Sequence, residues 1–258
     1  MRHVIIHYHI FKNAGSTIDS ILKNQFGKAY GNIEGHNPWD TLDTSLLLQY
    51  SIDNPTYQVI SSHQARFPVP TSPRINFYPI IFLRHPIDRA GSVYSFERRQ
   101  PLNNSSSNSK IAHESDINDY IRWRLADNHG AVIKNFQTIY VASQEKDMRT
   151  AIATKVDLET AMNRMRELRF FGIVELFQES MLRMQDYLVS DFGVINTSFT
   201  VQNKSLDRKR TLTERLDNIK ASLSPLLYNE LIDKNALDLE FYNQALKLFK
   251  SKPNSINP

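Results

Sequence analysis

Six consecutive residues near the start of the chain combine the features that bind anions. A lysine comes first, a glycine follows three positions later, and two hydroxyl side chains close the segment, which reads Lys12-Asn13-Ala14-Gly15-Ser16-Thr17. Backbone N–H groups converge where a parallel strand turns into its helix, and the helix dipole adds positive potential there. Glycine lets the backbone approach an oxyanion closely, and lysine adds a mobile ammonium group. The segment predicts an anion-binding loop; the alternative is a capped helix start with a solvated lysine.

A second group of chemically useful residues follows the apolar run Tyr78–Leu83. Arg84 comes directly after this run, and Ser92 lies two turns into the helix that we expect to follow. Open α/β sheets bind ligands at the carboxyl ends of their strands. An arginine there can hold a phosphate through a forked, charge-assisted contact, and a serine can assist it. The alternative is a structural ion pair between Arg84 and a nearby acid such as Asp88.

Several histidines are candidates for proton transfer. His63 follows the apolar run Gln58–Ser62, which places it at the end of a predicted strand. Neutral imidazole is well suited to accept a proton near neutral pH, although a lone histidine at a strand end is more often structural. His36 and His85 are weaker candidates. His7 and His9 point to the same face of the first strand, and we interpret them as structural.

Hydrophobic patterns predict that strands and helices alternate along the chain. Apolar runs indicate buried strands, and helical spacing of apolar residues indicates amphipathic helices. Alternation of this kind indicates an α/β fold in which a central parallel sheet is flanked by helices. The predicted strands are Val4–Phe11, Gln58–Ser62, Tyr78–Leu83 and Phe170–Val174, and the predicted helices are Ser16–Phe26, Pro86–Arg98, Asp116–Ala126, Asp157–Leu168, Leu176–Val189, a segment that starts at Ser224-Pro225, and Asn235–Phe249.

The polar segment Asn103–Ser109 contains only asparagine and serine. Such a composition predicts a mobile loop. The sequence shows no internal repeat and no clear linker, so we expect one domain that covers residues 1–258.

The overall composition sets the class of protein. Hydrophobic residues make up 41% of the 258 residues and charged residues 22%, which is ordinary for a globular protein. The net charge of +4 suits an anionic ligand but is too small to indicate nucleic acid. The chain has no cysteine and no apolar run long enough to span a membrane. We therefore expect a cytoplasmic, bacterial protein, with a Golgi-lumen domain trimmed of its anchor as the alternative.

Together, the two motifs resemble those of sulfotransferases that use 3′-phosphoadenosine 5′-phosphosulfate (PAPS), in particular the carbohydrate branch that contains heparan sulfate 2-O-sulfotransferase. That branch begins with a strand ending His-Ile-Pro-Lys-Thr-Ala-Gly-Thr-Ser, and it later carries Arg-Asp-Pro-(x)₂-Arg-(x)₂-Ser-x-Tyr. This chain departs from these motifs at Phe11, Asn13 and His85. The corresponding segments here are His9 to Thr17 and Arg84 to Tyr94, with weaker matches at Phe170 to Glu175 and Asp238 to Tyr242.

The resemblance implies a P-loop-like three-layer fold and a sulfuryl transfer from PAPS to a hydroxyl, leaving PAP as product. The segment from Lys12 to Thr17 then holds the 5′-phosphosulfate, and Lys12 neutralises the charge that builds on the leaving group. Asn13 keeps a polar group near the sulfate. Arg84 and Ser92 hold the 3′-phosphate. His63 is the general base, because similar enzymes use a histidine from that segment.

A late basic segment and several arginines complete the predicted site. Similar enzymes close a basic loop over the nucleotide, so Lys204 is expected to bind PAPS; a solvated loop is the alternative. Arg66, Arg98 and Arg99 are candidates for contacts with an acidic glycan. We expect the partner to be a hydroxylated acceptor such as a glycan or glycolipid, with no nucleic acid involved. Its identity, the hydroxyl modified and the oligomeric state are not encoded in these motifs.

Two other classes of function remain open at this point. A nucleotide-dependent kinase needs the G-x-x-x-x-G-K-[ST] order and an acidic strand end for magnesium, neither of which is evident. A non-catalytic nucleotide- or glycan-binding module would need no base. Sulfuryl transfer resembles phosphoryl transfer but moves a less highly charged group, so we expect no metal requirement.

Overall fold

Five parallel strands form the central sheet of this computed structural model, which describes residues 1–102, 106–126, 129–142, 147, 149–196 and 211–251. The strands pair in the order β2-β3-β1-β4-β5, so the first strand lies in the middle of the sheet. Its Ile6 lies opposite Ile60 on one side and Pro79 on the other. The bounds are β1 (Arg2–Tyr8), β2 (Tyr30–Asn32), β3 (Val59–Ser62), β4 (Ile75–Leu83) and β5 (Gly172–Ile173).

Helices surround the sheet and connect its strands. Short 3₁₀ turns at Gly27–Ala29 and Val174–Leu176 add to them. The α-helices of the described residues are α1 (Gly15–Phe26), α2 (Thr44–Asp53), α3 (Pro86–Glu97), α4 (Ser107–Glu114), α5 (Ile117–Leu125), α6 (Phe136–Ala142), α7 (Lys155–Glu167), α8 (Phe177–Phe192), α9 (Leu212–Ser222), α10 (Pro225–Asp233) and α11 (Ala236–Ser251).

Alternate residues of the strands pack against helices on opposite faces of the sheet. Ile5 and Ile80 face α1 and α8, where they join a cluster that includes Ile18 and Met184. The strand residues on the opposite face of the sheet pack against α6, α7 and α11. They form a second cluster that includes Tyr140, Met165 and Phe241. Because both faces are covered, the strands are apolar almost throughout, as a parallel sheet requires. This arrangement confirms the predicted α/β fold with a central parallel sheet flanked by helices.

The first strand ends earlier than the sequence predicted. It stops at Tyr8 rather than at Phe11, because the chain turns where Ile10 donates a backbone hydrogen bond to Tyr8 and Asn13 donates one to Ile10. Apolar composition continues through this turn, and the composition alone could not reveal the change in backbone direction.

The prediction of a mobile loop at Asn103–Ser109 was wrong for its second half. Residues 103–105 lie outside the described part of the chain. Helix α4 begins at Ser107, and the Ser106 side chain accepts a hydrogen bond from the Ser109 backbone. Serine is unfavourable in the interior of a helix but is a good N-cap residue. Ser106 has this N-cap role here. The sequence analysis also missed β2, α2, α6 and α9.

No helix in the described ranges combines the length and apolar character needed to cross a bilayer.

Candidate active site

The carboxyl ends of three adjacent strands bring the predicted chemical groups to one edge of the sheet. The central strand β1 leads into the loop that starts at Lys12. On one side, β3 ends at Ser62, so His63 follows it directly; on the other, β4 ends at Leu83 and is followed by Arg84. Parallel strands all present their carboxyl ends at the same edge, so the three segments lie beside one another.

The segment from Lys12 to Thr17, which we call the anion loop, has a backbone conformation that is unusual for residues other than glycine. Lys12 and Ala14 both have positive φ, 67° and 64° respectively. Left-handed residues alternating with ordinary ones turn successive N–H groups toward one point, which creates a concave anion site. Helix α1 begins immediately afterwards at Gly15, so its first amides and its dipole point to the same region. The Lys12 ammonium lies 4.3 Å from the centre of the Phe96 ring.

The side chain of Asn13 turns into the protein instead of toward the outer face of the loop. It is buried and donates hydrogen bonds to the Phe82 carbonyl at 2.8 Å and to Gln137 Oε1 at 2.7 Å. The expectation that Asn13 keeps a polar side chain near the sulfate therefore does not match the structure. Its contribution to anion binding is left to its backbone.

Gln137 joins the anion loop to the end of β4. Its amide oxygen accepts from the Arg84 backbone N–H at 3.0 Å, and its amide nitrogen donates to the Arg84 carbonyl at 2.8 Å. Arg84 also donates from its side chain to the Lys12 carbonyl at 3.0 Å. The two sequence motifs are therefore fixed relative to each other by direct hydrogen bonds. Gln137 was missed because α6, on which it lies, gave no sequence signal of its own.

A buried aspartate holds two arginines at the end of β4. Asp88 is only 3% exposed and accepts from Arg84 Nε at 2.8 Å and from Arg215 Nε at 2.8 Å. Burial alone would raise the pKa of Asp88, but the two guanidinium groups hold it below its ordinary value. The ion pair expected as the alternative for Arg84 is thus present. Arg215, on α9, was not predicted.

The same arginines line an open cleft. It has a volume of about 380 Å³, and Arg84, Ser92 and Arg215 contribute to its wall together with Asn218 and Ser222. The structure thus brings Arg84 and Ser92 together, as the motif predicted. Two guanidinium groups beside hydroxyl and amide donors form a surface suited to a phosphate.

His63 is exposed and paired with an acid. Its side chain is 46% exposed, and Glu34 Oε1 lies 2.9 Å from both its Nδ1 and its backbone nitrogen. Burial alone would raise the pKa of Glu34, but the hydrogen bonds from His63 lower it. An ionised Glu34 accepts a hydrogen bond from a protonated Nδ1. This leaves a free lone pair on Nε2 of the imidazole. This tautomer is inferred from the hydrogen bonding.

The other candidate bases lie in different settings. His36 is exposed in the loop that follows β2. His85 precedes α3, and its backbone donates to Glu175. Burial lowers the pKa of His85 to about 4, which makes it a poor proton acceptor at neutral pH.

His7 and His9 share one buried carboxylate. Asp19 on α1 lies 2.7 Å from His7 Nδ1 and 2.8 Å from His9 Nδ1, and it also accepts from Ser61 Oγ at 2.6 Å. This agrees with the interpretation that both histidines point to one face and support the structure. The three ligand atoms lie within 4.8 Å of one another, a spacing that is compatible with a metal ion, although each is already engaged in hydrogen bonds.

The late motif residues tie distant elements to this edge of the sheet. Asp238 accepts from the backbone N–H groups of Gln137 at 3.0 Å and Thr138 at 2.7 Å, and so caps the start of α6. Glu175 accepts from the Tyr242 hydroxyl at 2.8 Å as well as from the backbone that precedes α3. Burial raises the pKa of both acids. These residues therefore act as supports for the site.

The remaining basic candidates have structural contacts or fall outside the described residues. Arg66 is 4% exposed, lies 4.2 Å from the Tyr140 ring centre and donates to the His63 carbonyl at 3.2 Å. It is thus not available to bind a glycan at the surface. Arg98 and Arg99 donate to backbone carbonyls of Ser115 and Ser95. Lys204 lies outside the described residues.

An α/β fold with a left-handed loop and an arginine-lined cleft at one sheet edge is the arrangement of a protein that binds phosphate- or sulfate-bearing ligands. Residues 1–245 match the sulfotransferase family. The chain belongs to this family and is a sulfotransferase. It is also 31% identical over 257 residues to an uncharacterized protein of Archaeoglobus fulgidus, with 96% of this chain and 98% of that protein covered.

Proposed function

We propose that this sulfotransferase moves the sulfuryl group of PAPS to a carbohydrate hydroxyl by in-line displacement, with His63 as the general base. One observation carries the proposal: adjacent strand ends place the anion loop, the arginine-lined cleft and the His63–Glu34 pair on the same edge of the sheet. Sulfuryl transfer to a hydroxyl needs both a surface that binds the donor and a group that accepts the proton, and this edge of the sheet has a candidate for each.

The donor side suits a nucleotide that carries two separate anionic groups. The left-handed residues Lys12 and Ala14 and the first amides of α1 form a concave site for the 5′-phosphosulfate. The cleft lined by Arg84, Ser92 and Arg215 suits the 3′-phosphate, which distinguishes PAPS from ordinary adenine nucleotides. PAPS supplies the activated sulfuryl group when it binds; Lys204 remains a predicted further contact.

Lys12 stabilises the charge that develops as the sulfuryl group leaves. Its ammonium group belongs to the anion loop, and its carbonyl is held by Arg84. A cation that is fixed where negative charge develops stabilises the transition state more than the ground state. Because lysine supplies this positive charge, the transfer needs no metal ion.

His63 accepts the proton of the attacking hydroxyl at Nε2. Glu34 orients the ring through Nδ1 and, with its lowered pKa, stays ionised to stabilise the imidazolium that forms. The imidazole is exposed, so an acceptor from solvent can reach it.

The acceptor class rests on the resemblance to the branch of heparan sulfate 2-O-sulfotransferase. A glycan or glycolipid hydroxyl is the proposed substrate, and the cytoplasm the proposed location.

Labelled PAPS offered with a panel of polysaccharides, glycolipids and small hydroxylated metabolites tests the proposal. We expect transfer to at least one carbohydrate, and calorimetry should show that PAP binds more tightly than AMP or ATP. Exclusive transfer to non-carbohydrate hydroxyls would contradict the acceptor class. Tighter binding of ATP than of PAP would contradict the donor.

A further inference from the structure

The buried carboxylate of Asp19 fixes the orientation of two histidine rings. Its Oδ1 is 2.7 Å from His7 Nδ1, and its Oδ2 is 2.8 Å from His9 Nδ1. Asp19 itself is 9% exposed, and the two histidines are less exposed still. A carboxylate in such a place requires hydrogen-bond donors, so each Nδ1 carries its proton toward Asp19. Burial alone would raise the pKa of Asp19, but the interactions with His7 and His9 hold it well below its ordinary value.

His9 is held on the opposite side by the anion loop. A Cβ atom added to Gly15 would lie 2.0 Å from Cδ2 of the His9 ring. No side chain larger than hydrogen fits there unless the ring moves, because carbon atoms at that distance overlap. The glycine of the anion motif thus makes room for His9. In the sequence we attributed this glycine only to the approach of an oxyanion.

The third contact of His9 is with His63. The two rings stack with their centres 3.8 Å apart and an angle of 28° between their planes. Glu34 holds one edge of the His63 ring, but a single edge contact leaves the ring free to rotate about that bond. A stacked neighbour fixes the plane of the ring as well.

We propose that His9, oriented by Asp19, is a positioning residue that fixes the plane of the His63 ring relative to the anion loop. The inference rests on the proposed function, in which His63 accepts a proton from the acceptor hydroxyl. Gly15 contacts His9 and begins the helix that follows the anion loop. His9 therefore fixes the distance between the His63 base and the bound sulfuryl group. Misplacement by about 1 Å can cost a transfer reaction about 10²-fold in rate.

A neutral His9 suits this role. Burial lowers the pKa of His9 to about 4, even though its hydrogen bond to Asp19 acts in the opposite direction. A neutral ring does not repel an imidazolium that forms on His63 during the reaction. Among the described residues, Glu34 from the segment after β2 and His9 from the segment after β1 contact the His63 ring, and the Arg66 guanidinium donates to the His63 carbonyl.

Long-range ¹H–¹⁵N spectra, which report histidine tautomers, and nuclear Overhauser spectra, which report contacts between rings, test the geometry without any substrate. We expect His9 in the Nδ1–H tautomer, with proton contacts between the His9 and His63 rings. In Asp19→Asn the amide group should change the tautomer of His9 or disorder its ring. An Nε2–H tautomer of His9 in the parent protein, or the absence of contacts between the two rings, would overturn the proposal whether or not the protein is active.

Kinetics of His9→Asn test the consequence. Asparagine can still donate to Asp19 but has no ring to stack on His63. We expect kcat with labelled PAPS, measured on the best acceptor of the panel, to fall about 10- to 100-fold, while PAP affinity changes less than about 2-fold and the melting temperature stays close to that of the parent. Unchanged kcat in a folded His9→Asn protein would overturn the positioning role.

His3 offers the matched control. It lies near the start of β1, the strand that ends just before His9, and its Nδ1 pairs with Asp191 at 3.1 Å. His3→Asn and Asp191→Asn should leave both kcat and the His63 spectrum unchanged. If these variants lower kcat as much as His9→Asn does, the effect comes from general weakening of the strand, and the proposal fails.

Discussion

The two sides of the candidate site use the same device with different chemistry. On one side buried Asp88 holds Arg84 and Arg215; on the other buried Asp19 holds His7 and His9. Two arginines around one aspartate leave a permanent positive charge, which suits an anion that must be bound. Two histidines that donate to one buried aspartate leave a fixed, hydrogen-bonded frame, which suits the support of a base. We infer that the arginine side binds and the histidine side reacts.

His63→Ala should distinguish the roles of the arginine side and the histidine side most clearly. Loss of a general base costs about 10²–10⁴-fold in turnover, and PAP affinity should stay unchanged because the arginine side is intact. Stopped assays with labelled PAPS and calorimetry with PAP measure the two quantities. His36→Ala removes another exposed histidine nearby and should keep full turnover. The same loss in both variants, or none in His63→Ala, would show that another group takes the proton.

Lys12→Ala should produce the next largest effect, and it tests whether the anion loop also takes part in the reaction. Removal of one electrostatic stabiliser costs about 10²-fold in kcat. Lys28→Ala, an exposed lysine beyond the end of α1, serves as the control. A normal kcat with only a raised KM for PAPS would make Lys12 a ground-state binding residue.

Arg84→Ala and Arg215→Ala should weaken PAP binding with smaller effects on kcat at saturating PAPS. A hydrogen bond to a charged group contributes about 1.5–3 kcal/mol, which corresponds to about 10- to 150-fold in affinity. AMP affinity should change less, because AMP has no 3′-phosphate. Arg122→Ala, which removes an exposed arginine paired with Asp119, should leave both affinities unchanged. Variants that prefer PAP over AMP as strongly as the parent would show that the 3′-phosphate lies elsewhere.

The smallest effect is expected from metal removal, which asks whether the histidine side is a hydrogen-bonded frame or a metal centre. EDTA should change turnover by less than about 2-fold, since lysine and arginine supply the positive charge that metals supply in phosphoryl transfer. Loss of turnover that zinc restores would make His7, His9 and Asp19 metal ligands. Loss that magnesium restores would return the kinase-like interpretation.

Local patterns in the sequence predicted where β3 and β4 end and which residues follow them, but not where β1 ends. Arg84 and His63 could be placed because an apolar run precedes each, and His7 and His9 because strand residues two apart share a face. The partners of these residues could not be placed. Gln137 is 124 positions from Asn13, and Arg215 is 127 from Asp88, so only the packed fold brings them together. The Asn103–Ser109 prediction failed in part because serine occurs both in loops and at helix starts.

The cap that Asp238 places on α6 has a consequence for the order in which the site forms during synthesis. The anion loop, the base His63 and the two 3′-phosphate residues predicted from the sequence, Arg84 and Ser92, lie within the first 92 positions, and these leave the ribosome first. Gln137, which joins two of these segments, lies on a helix whose first amides bind Asp238. A nascent chain that has not yet released α11 therefore carries the motifs of its first 92 positions without the cap on the helix that bears Gln137. Donor binding should appear only when synthesis is almost complete.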